Sequence, residues 1–471
     1  MESAPPTLKT GDTCGAAVEL LRAPEVSGVL IVDDERHPLG IVTEQDVTHR
    51  IAYQLDIGES ISNAMSAPVT TISRSDYLFQ AIALMRREGL RHLPVVDDRG
   101  LLVGMLHLHH ALSESIPLLL EMIEHLTPGD LRTGIEHMKR AQVKIALGLL
   151  HDGVPAPEIQ VLLTHFNHDI YRRIIRQAII RLRDEGAGSP PVGFDVIVMG
   201  SGGRGESYLF PDQDNGFVLD DYPDADHNLV DTYFIALAER MTAALHEVGI
   251  TLCKGFVMAS NPLWRKTVSQ WCAQLQYWLR KPSDATLRLS DIFFDFLPVH
   301  GQGKNALALR EFVTRTLPDR HMFLGRMQAV QRDHGVALGF FKRLTVDESD
   351  GPHKGKINLK YHGLLPLVEN IRLLALREGV ASTSTLQRIA ELHSRNVLSN
   401  DEQDYLSGAF RHITHLVLRQ QLQDFDANLP VGPYISPDVL SEREKDMLVN
   451  GLDAINDLRG RMRGEFSADI F

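Results

Sequence analysis

A duplication inside the first quarter of the chain restricts its fold more than any other feature. Gly28-Val-Leu-Ile-Val-Asp-Asp34, followed by Gly40-Ile-Val42, returns as His92-Leu-Pro-Val-Val-Asp-Asp98, followed by Gly104-Met-Leu106. The spacing from Asp33 to Asp97 equals that from Gly40 to Gly104, so one supersecondary unit is used twice. Each copy predicts a helix (around Ala16 to Leu21, then Leu78 to Arg87), an apolar strand, a polar turn and a second strand. The copies differ where the second strand ends. Gly40-Ile-Val-Thr43-Glu-Gln-Asp46 carries a hydroxyl and an acid, whereas Gly104-Met-Leu-His107-Leu-His109-His110 carries neither. Thr43 and Asp46 suit a ligand, and equally suit a capping-box variant that starts a helix. His107, His109 and His110 sit at a strand–helix junction, where neighbouring side chains diverge, a poor geometry for metal.

At 471 residues the chain exceeds a single core, and about two to four domains are expected. A formal charge of −13 disfavours a broad nucleic-acid surface, because phosphate contacts come from Lys and Arg. Cys14, Cys253 and Cys272 show no metal spacing and suit a reducing compartment. The start, Met1-Glu-Ser-Ala-Pro-Pro, has no basic and apolar leader pattern, and no apolar run approaches the length of a membrane span. A cytoplasmic location is the expectation.

The chemistry concentrates between Phe194 and Val299. Phe194 to Met199 predicts a strand that delivers the chain to the glycine-dense turn Gly200-Ser-Gly-Gly-Arg-Gly205, where backbone can approach a phosphate. Asp212 and Asp214 follow; on a continuing strand their side chains share a face, roughly 6.5 Å apart at a rise of about 3.3 Å per residue. Two carboxylates at that separation can converge on divalent ions, and hard oxygen donors suit Mg²⁺ or Mn²⁺. Asp291 to Val299 alternates apolar residues and predicts another strand, with Asp295 bracketed by phenylalanines. Such a carboxylate is costly to bury without a cation. Arg204 is a phosphate clamp or an ion-pair partner of Glu206. Before this region, residues 121–187 read as a helical linker: Ile135, Met138, Ala141, Ile145 and Leu149, then Ile159, Leu162, Phe166, Ile170 and Ile174, recur at helical spacing. Arg172, Arg173, Arg176 and Arg181 read as a solvated face.

The repeat resembles a tandem pair of CBS domains, a pseudo-symmetric module that implies binding of AMP, ADP or ATP through Thr43 and Asp46, and a homodimer through the CBS units. Gly200-Ser201, Asp212-Gln-Asp-Asn215 and Asp295 resemble the DNA polymerase beta-type nucleotidyltransferase superfamily. Within it they are similar to the CBS-linked transferases related to the uridylyltransferase of protein PII. Met258-Ala-Ser-Asn-Pro-Leu-Trp-Arg265 resembles the same family, as do Ile357 to Lys360, Gly363 to Leu376 and Thr385 to Ile389. The resemblance implies a multidomain α/β chain: CBS pair (α+β) at 1–120, linker at 121–187, transferase domain with a mixed sheet at 188–310, and an all-α acceptor-binding domain at 311–471. It implies attack of an acceptor hydroxyl on the α-phosphate of a nucleoside triphosphate, with Asp212, Asp214 and Asp295 as catalytic and metal-binding residues. Gly200, Ser201 and Arg204 would hold phosphate, and the acceptor would be a protein or a small molecule. The family's basic residue after Phe-Asp-Phe is Leu297 here. The alternative is a catalytically silent nucleotide sensor acting through partner contacts; addition of nucleotides to RNA is disfavoured by the acidic balance.

Overall fold

The computed structural model describes residues 5–23, 26–51, 55–108, 110–112, 142–331 and 334–468, which divide into two compact units, 1–128 and 129–471. The first unit repeats one motif. β1 (Thr7–Lys9), α1 (Cys14–Leu21), β2 (Gly28–Val32) and β3 (Pro38–Thr43) are matched by β4 (Ile72–Ser73), α2 (Leu78–Glu88), β5 (His92–Val96) and β6 (Leu102–His107). In each three-stranded sheet the first pair is parallel and the second antiparallel, and Gly28 opposite Thr43 is answered by His92 opposite His107. The uninterrupted apolar run of β2 is explained by burial on both faces. Val29 and Ile31 pack with Cys14 and Ala17 of α1, while Leu30 and Val32 pack with Leu102 and Met105 of the second copy.

The second unit begins with helical residues 142–152, closed by Gly153, and α3 (Ala156–Asp184). The part of the expected linker before residue 142 lies outside the described residues. The remainder is no spacer: α3 packs on the transferase sheet, with Arg172 Nε donating to Val299 O at 3.0 Å and Tyr171 Oη accepting from Asn215 Nδ2 at 3.3 Å. Then follow β7 (Phe194–Val198), the short α4 (Gly200–Arg204), β8 (Asp212–Gln213), β9 (Asn215–Leu219), α5 (His227–Glu247), β10 (Thr251–Leu252), β11 (Arg265–Thr267) and α6 (Val268–Arg280). Next come α7 (Asp284–Phe293), β12 (Leu297–His300) and α8 (Lys304–Thr316). The mixed sheet runs β11-β9-β7-β12, with β8 and β10 paired beside it. Asp195 in β7 is buried because it caps α8, accepting from the N–H groups of Gly303, Asn305 and Ala306 at 2.8, 2.9 and 3.0 Å.

The expected strand from Asp291 to Val299 is corrected. Ser283 starts a capping box with Thr286, so the chain is helical to Phe293, turns through Phe294 to Phe296, and becomes a strand only at Leu297. The C-terminal part is helical: α9 (His321–Gln331), α10 (Leu365–Arg377), α11 (Thr385–Ser394), α12 (Asn400–Asp426) and α13 (Glu442–Ala468). It also contains a two-stranded sheet, β13 (Ile357–Asn358) with β14 (Tyr434–Ile435), so it is not purely α. No described helix is long and apolar enough to cross a membrane.

Candidate functional site

β7 ends at Val198 and the chain turns sharply through Gly200, whose φ of 59° is left-handed; a Cβ there would stand 2.9 Å from Asp214 Oδ2. The glycine turn therefore lies directly against the second acid. Gly203 is forced by a different approach: its Cβ would meet Asp295 O at 1.8 Å. Asp212 and Asp214 do not sit on one regular strand. Asp212 belongs to β8 and is exposed, Asp214 falls in the break before β9, and β8 and β9 pair with different neighbours. Asn215 fixes the break. Its N–H donates to Val257 O at 3.0 Å, its Oδ1 accepts from Ala259 N at 3.0 Å, and Arg265 Nη1 holds Ala259 O at 2.7 Å. The stretch from Met258 to Arg265 thus braces the acid pair from behind.

Both acids line a cavity of about 350 Å³ together with Gly200, Ser201, Arg204 and Asp291 from the transferase domain. Its far walls come from the C-terminal part: Asn358, Lys360, Tyr361, Leu364, Leu365, Val368, Arg372 and Phe410. Lys360 Nζ stands 6.0 Å from the Tyr208 ring centre. Burial, and then the neighbouring Asp212 charge, push Asp214 up to about 6 against the pull of Cys253, Lys360 and Arg204. Its Oδ1 is buried without a hydrogen-bond partner. A second acid beside an unsatisfied carboxylate oxygen suits a hard divalent cation, and the oxygen donors fit Mg²⁺ or Mn²⁺. Cys253 is pushed up to about 11 by burial and by Asp214, so it stays a thiol at neutral pH.

Asp295 is elsewhere. It is fully buried and does not line the cavity; its Oδ2 accepts from Arg204 Nη1 at 2.8 Å and Arg372 Nη1 at 2.5 Å, and its Oδ1 lies 2.7 Å from Arg388 Nη1. Although burial raises its carboxyl, Arg372, Arg388 and Arg204 hold it well below the usual carboxylate range. Among the described residues no three His, Cys, Asp or Glu side chains are placed to share a metal ion. In this structure the expected third metal ligand is instead a shared counter-ion, with both of its oxygens facing guanidinium groups. Arg372 also meets Asp291 Oδ1 at 2.5 Å, and Arg204 Nε meets Glu206 Oε2 at 2.6 Å, while Glu206 Oε1 accepts from Thr385 N at 2.7 Å. Three carboxylates and three guanidinium groups thus tie the transferase domain to α10 and α11.

Arg372, Arg388 and Asp291 were not singled out from the sequence as site residues. The signal was present for Arg372. Pro366 to Leu376 of α10 is buried all round, and a charge inside such a helix must find a partner. His168 of α3 is buried, bonded to Gly202 O at 3.2 Å and pushed down to about 3 by burial, and so buttresses the glycine turn as a neutral ring. In the first unit, Asp46 Oδ2 accepts from Thr43 N at 2.9 Å and Thr43 Oγ1 at 2.8 Å, the capping contact. At the equivalent positions of the second copy, His107 is buried beside Ser27 and His92, while His109 lies outside the described residues.

By family models the chain carries, in sequence order, a CBS pair, a nucleotidyltransferase-type domain and a substrate-binding domain. Residues 140–285 match the family "Putative nucleotidyltransferase DUF294", residues 321–466 match its "Putative nucleotidyltransferase substrate binding domain", and residues 1–53 and 59–116 match CBS domains. The chain thus carries the two DUF294 domains in series. An uncharacterised protein of Methanopyrus kandleri is 32% identical over 120 residues, covering 24% of this chain and 61% of that protein. Inosine-5'-monophosphate dehydrogenase of Mycobacterium tuberculosis is 30% identical over 107 residues, covering 22% of this chain and 20% of the enzyme. The chain spans less than two thirds of the length of either curated relative. A CBS domain protein of Pyrobaculum aerophilum, solved in complex with AMP, is 27% identical and covers 26% of this chain and 92% of its own, with a TM-score of 0.24.

Proposed function

We propose that this chain is a metal-dependent nucleotidyltransferase that moves a nucleoside monophosphate from its triphosphate to a hydroxyl of a protein or small acceptor, under control of adenosine nucleotides at the CBS unit. The observation that carries the reading is the Asp214 carboxylate, whose Oδ1 is buried without a hydrogen-bond partner, sharing with Asp212 a cavity whose other walls carry Ser201, Arg204 and Lys360. Asp212 and Asp214 would hold a divalent ion, which when bound polarises the α-phosphate and offsets charge on the departing pyrophosphate. Ser201, Arg204 and Lys360 take the outer phosphates. Tyr208, Tyr361, Leu364 and Phe410 cover the nucleoside and exclude water. The acceptor oxygen bonds to the α-phosphorus, the bond to the bridging oxygen of the β-phosphate breaks, and the hydroxyl proton is lost to solvent. Asp295 acts from behind, fixing Arg204 and Arg372 at the cavity wall. Uridylyl transfer to a PII-type signalling protein is the specific form that the sequence resemblance suggests.

One observation favours a second reading. With Asp295 sealed by arginines, and with Asp291 and Glu206 on the cavity wall paired to Arg372 and Arg204, the cavity acids left without an arginine among the described residues are Asp212 and Asp214, as in a transferase fold retained as a sensor. The test is incubation with each α-labelled nucleoside triphosphate and Mg²⁺ in a lysate of the protein's own source, beside an Asp212→Asn, Asp214→Asn double variant. Label on one macromolecule with only the unaltered chain supports transfer and names base and acceptor. No label with any nucleotide, with or without AMP, ADP or ATP, selects the sensor.

A further inference from the structure

β10 runs parallel to β8, with Thr251 opposite Asp212 and Leu252 opposite Gln213. Buried Gln213 locks that register, its Nε2 donating to Thr242 O and Ile250 O, both at 3.0 Å. Thr251 Oγ1 donates to Asp212 Oδ1 at 2.7 Å. Asp212 thus meets its partner from the neighbouring strand, directly across the pair.

We propose that Thr251 is the positioning residue of the acid pair, setting the direction of Asp212. Its side chain is neutral. A lysine or arginine at this position would neutralise the carboxylate in place of a metal ion; a hydroxyl orients the oxygen and leaves its charge available. The contrast with Asp295, whose charge is fully taken by three arginines, separates acids held ready for a cation from an acid used as a counter-ion. Thr251 and Asp212 are both exposed, and a hydrogen bond between exposed groups adds little to folding. A merely structural role therefore predicts almost no effect of its removal, whereas a positioning role predicts a defect in metal binding.

The inference rests on the proposed metal-dependent function. Its test is Mn²⁺ binding to the full chain, followed by electron paramagnetic resonance with and without a nucleoside triphosphate, alongside the melting temperature. Thr251→Val should weaken Mn²⁺ binding by about tenfold or more, the usual cost of losing an outer-shell partner, with the melting temperature unchanged. Thr251→Ser, which keeps the hydroxyl, should bind as the unaltered chain does. Unaltered Mn²⁺ affinity in Thr251→Val, while the parent binds Mn²⁺, would overturn the positioning role alone. A loss of affinity that follows a fall in melting temperature equally in Thr251→Val and Thr251→Ser would overturn it too. Absence of Mn²⁺ binding by the parent, even with nucleotide, would remove the proposed function itself and this role with it.

Discussion

Asp295→Asn separates a buried counter-ion from a metal ligand. The substitution keeps the shape of the side chain and removes one negative charge that three guanidinium groups approach within 2.8 Å. Arg372 and Arg388 are buried to 2% and 1% exposure, so water cannot replace the lost charge. Removing one member of a buried pair costs about 3–5 kcal/mol, because the other charge is left uncompensated. Asp291 still holds Arg372 and Glu206 still holds Arg204, so Arg388 bears most of the loss and the low end, about 3 kcal/mol, is expected. At roughly 2–4 °C per kcal/mol for a domain of a few hundred residues, the melting temperature should fall by about 6–12 °C. Adding Arg388→Met removes the orphaned charge and should restore part of that loss, a coupling read by a double-mutant cycle in thermal and urea unfolding. The sign with pH follows from the depressed carboxyl of Asp295. Its folded value lies below the unfolded one, so its stabilisation is complete above the unfolded value near 3.9 and is lost as pH falls toward the folded one. The gap between parent and variant should be flat above about pH 5 and shrink below about pH 4. A variant that melts with the parent but has lost Mn²⁺ affinity would refute the counter-ion assignment, since that is how a metal ligand behaves.

Asp214 predicts the opposite pH sign: its folded value is raised to about 6, so metal-free protein loses stability as pH rises from the unfolded value to 6. Differential scanning calorimetry should show that slope in the parent and its absence in Asp214→Asn, while Mn²⁺ titrations should show affinity falling below pH 6. Gly203→Ala places a Cβ 1.8 Å from Asp295 O and should destabilise by about 3 kcal/mol or prevent folding, as measured by urea unfolding. Lys360→Ala removes an exposed cation at the cavity wall. It should weaken triphosphate binding by about tenfold or more, the ~1.5–3 kcal/mol of a charge-assisted hydrogen bond, with no change in melting temperature, as read by isothermal titration calorimetry. In the CBS unit, Asp46→Asn should weaken AMP binding in the same assay, and light scattering should give twice the chain mass for the expected homodimer.

The repeat was legible in the sequence because it is local; Asp212 and Asp214, near neighbours in sequence, line one cavity, though not on one strand. Asp33 and Asp97 mark equivalent turns, and the equal offset carries over to strand register, with Gly28 opposite Thr43 and His92 opposite His107. Asp291 to Val299 was misread because its alternation of apolar residues over a short run fits either period; the deciding signal was the cap at Ser283, upstream of the stretch. The counter-ion role of Asp295 could not be read locally at all. Its partners Arg204 and Arg372 lie 91 and 77 residues away in sequence; Arg204 comes from α4 at the glycine turn, and Arg372 reaches it from α10 of the C-terminal part. The cost of burying an acid between phenylalanines does establish that a cation must be present. It does not distinguish a metal from an arginine, because both remove the same penalty. What distinguishes them is the neighbourhood. Asp212 is met by a hydroxyl, and Asp212 and Asp214 both line a cavity with no arginine among the described residues bonded to either, whereas Asp295 has guanidinium groups within 2.8 Å of both oxygens and lines no part of that cavity. The same residue type thus serves two ends of one site, and the assignment of each follows from the charge of its immediate partners.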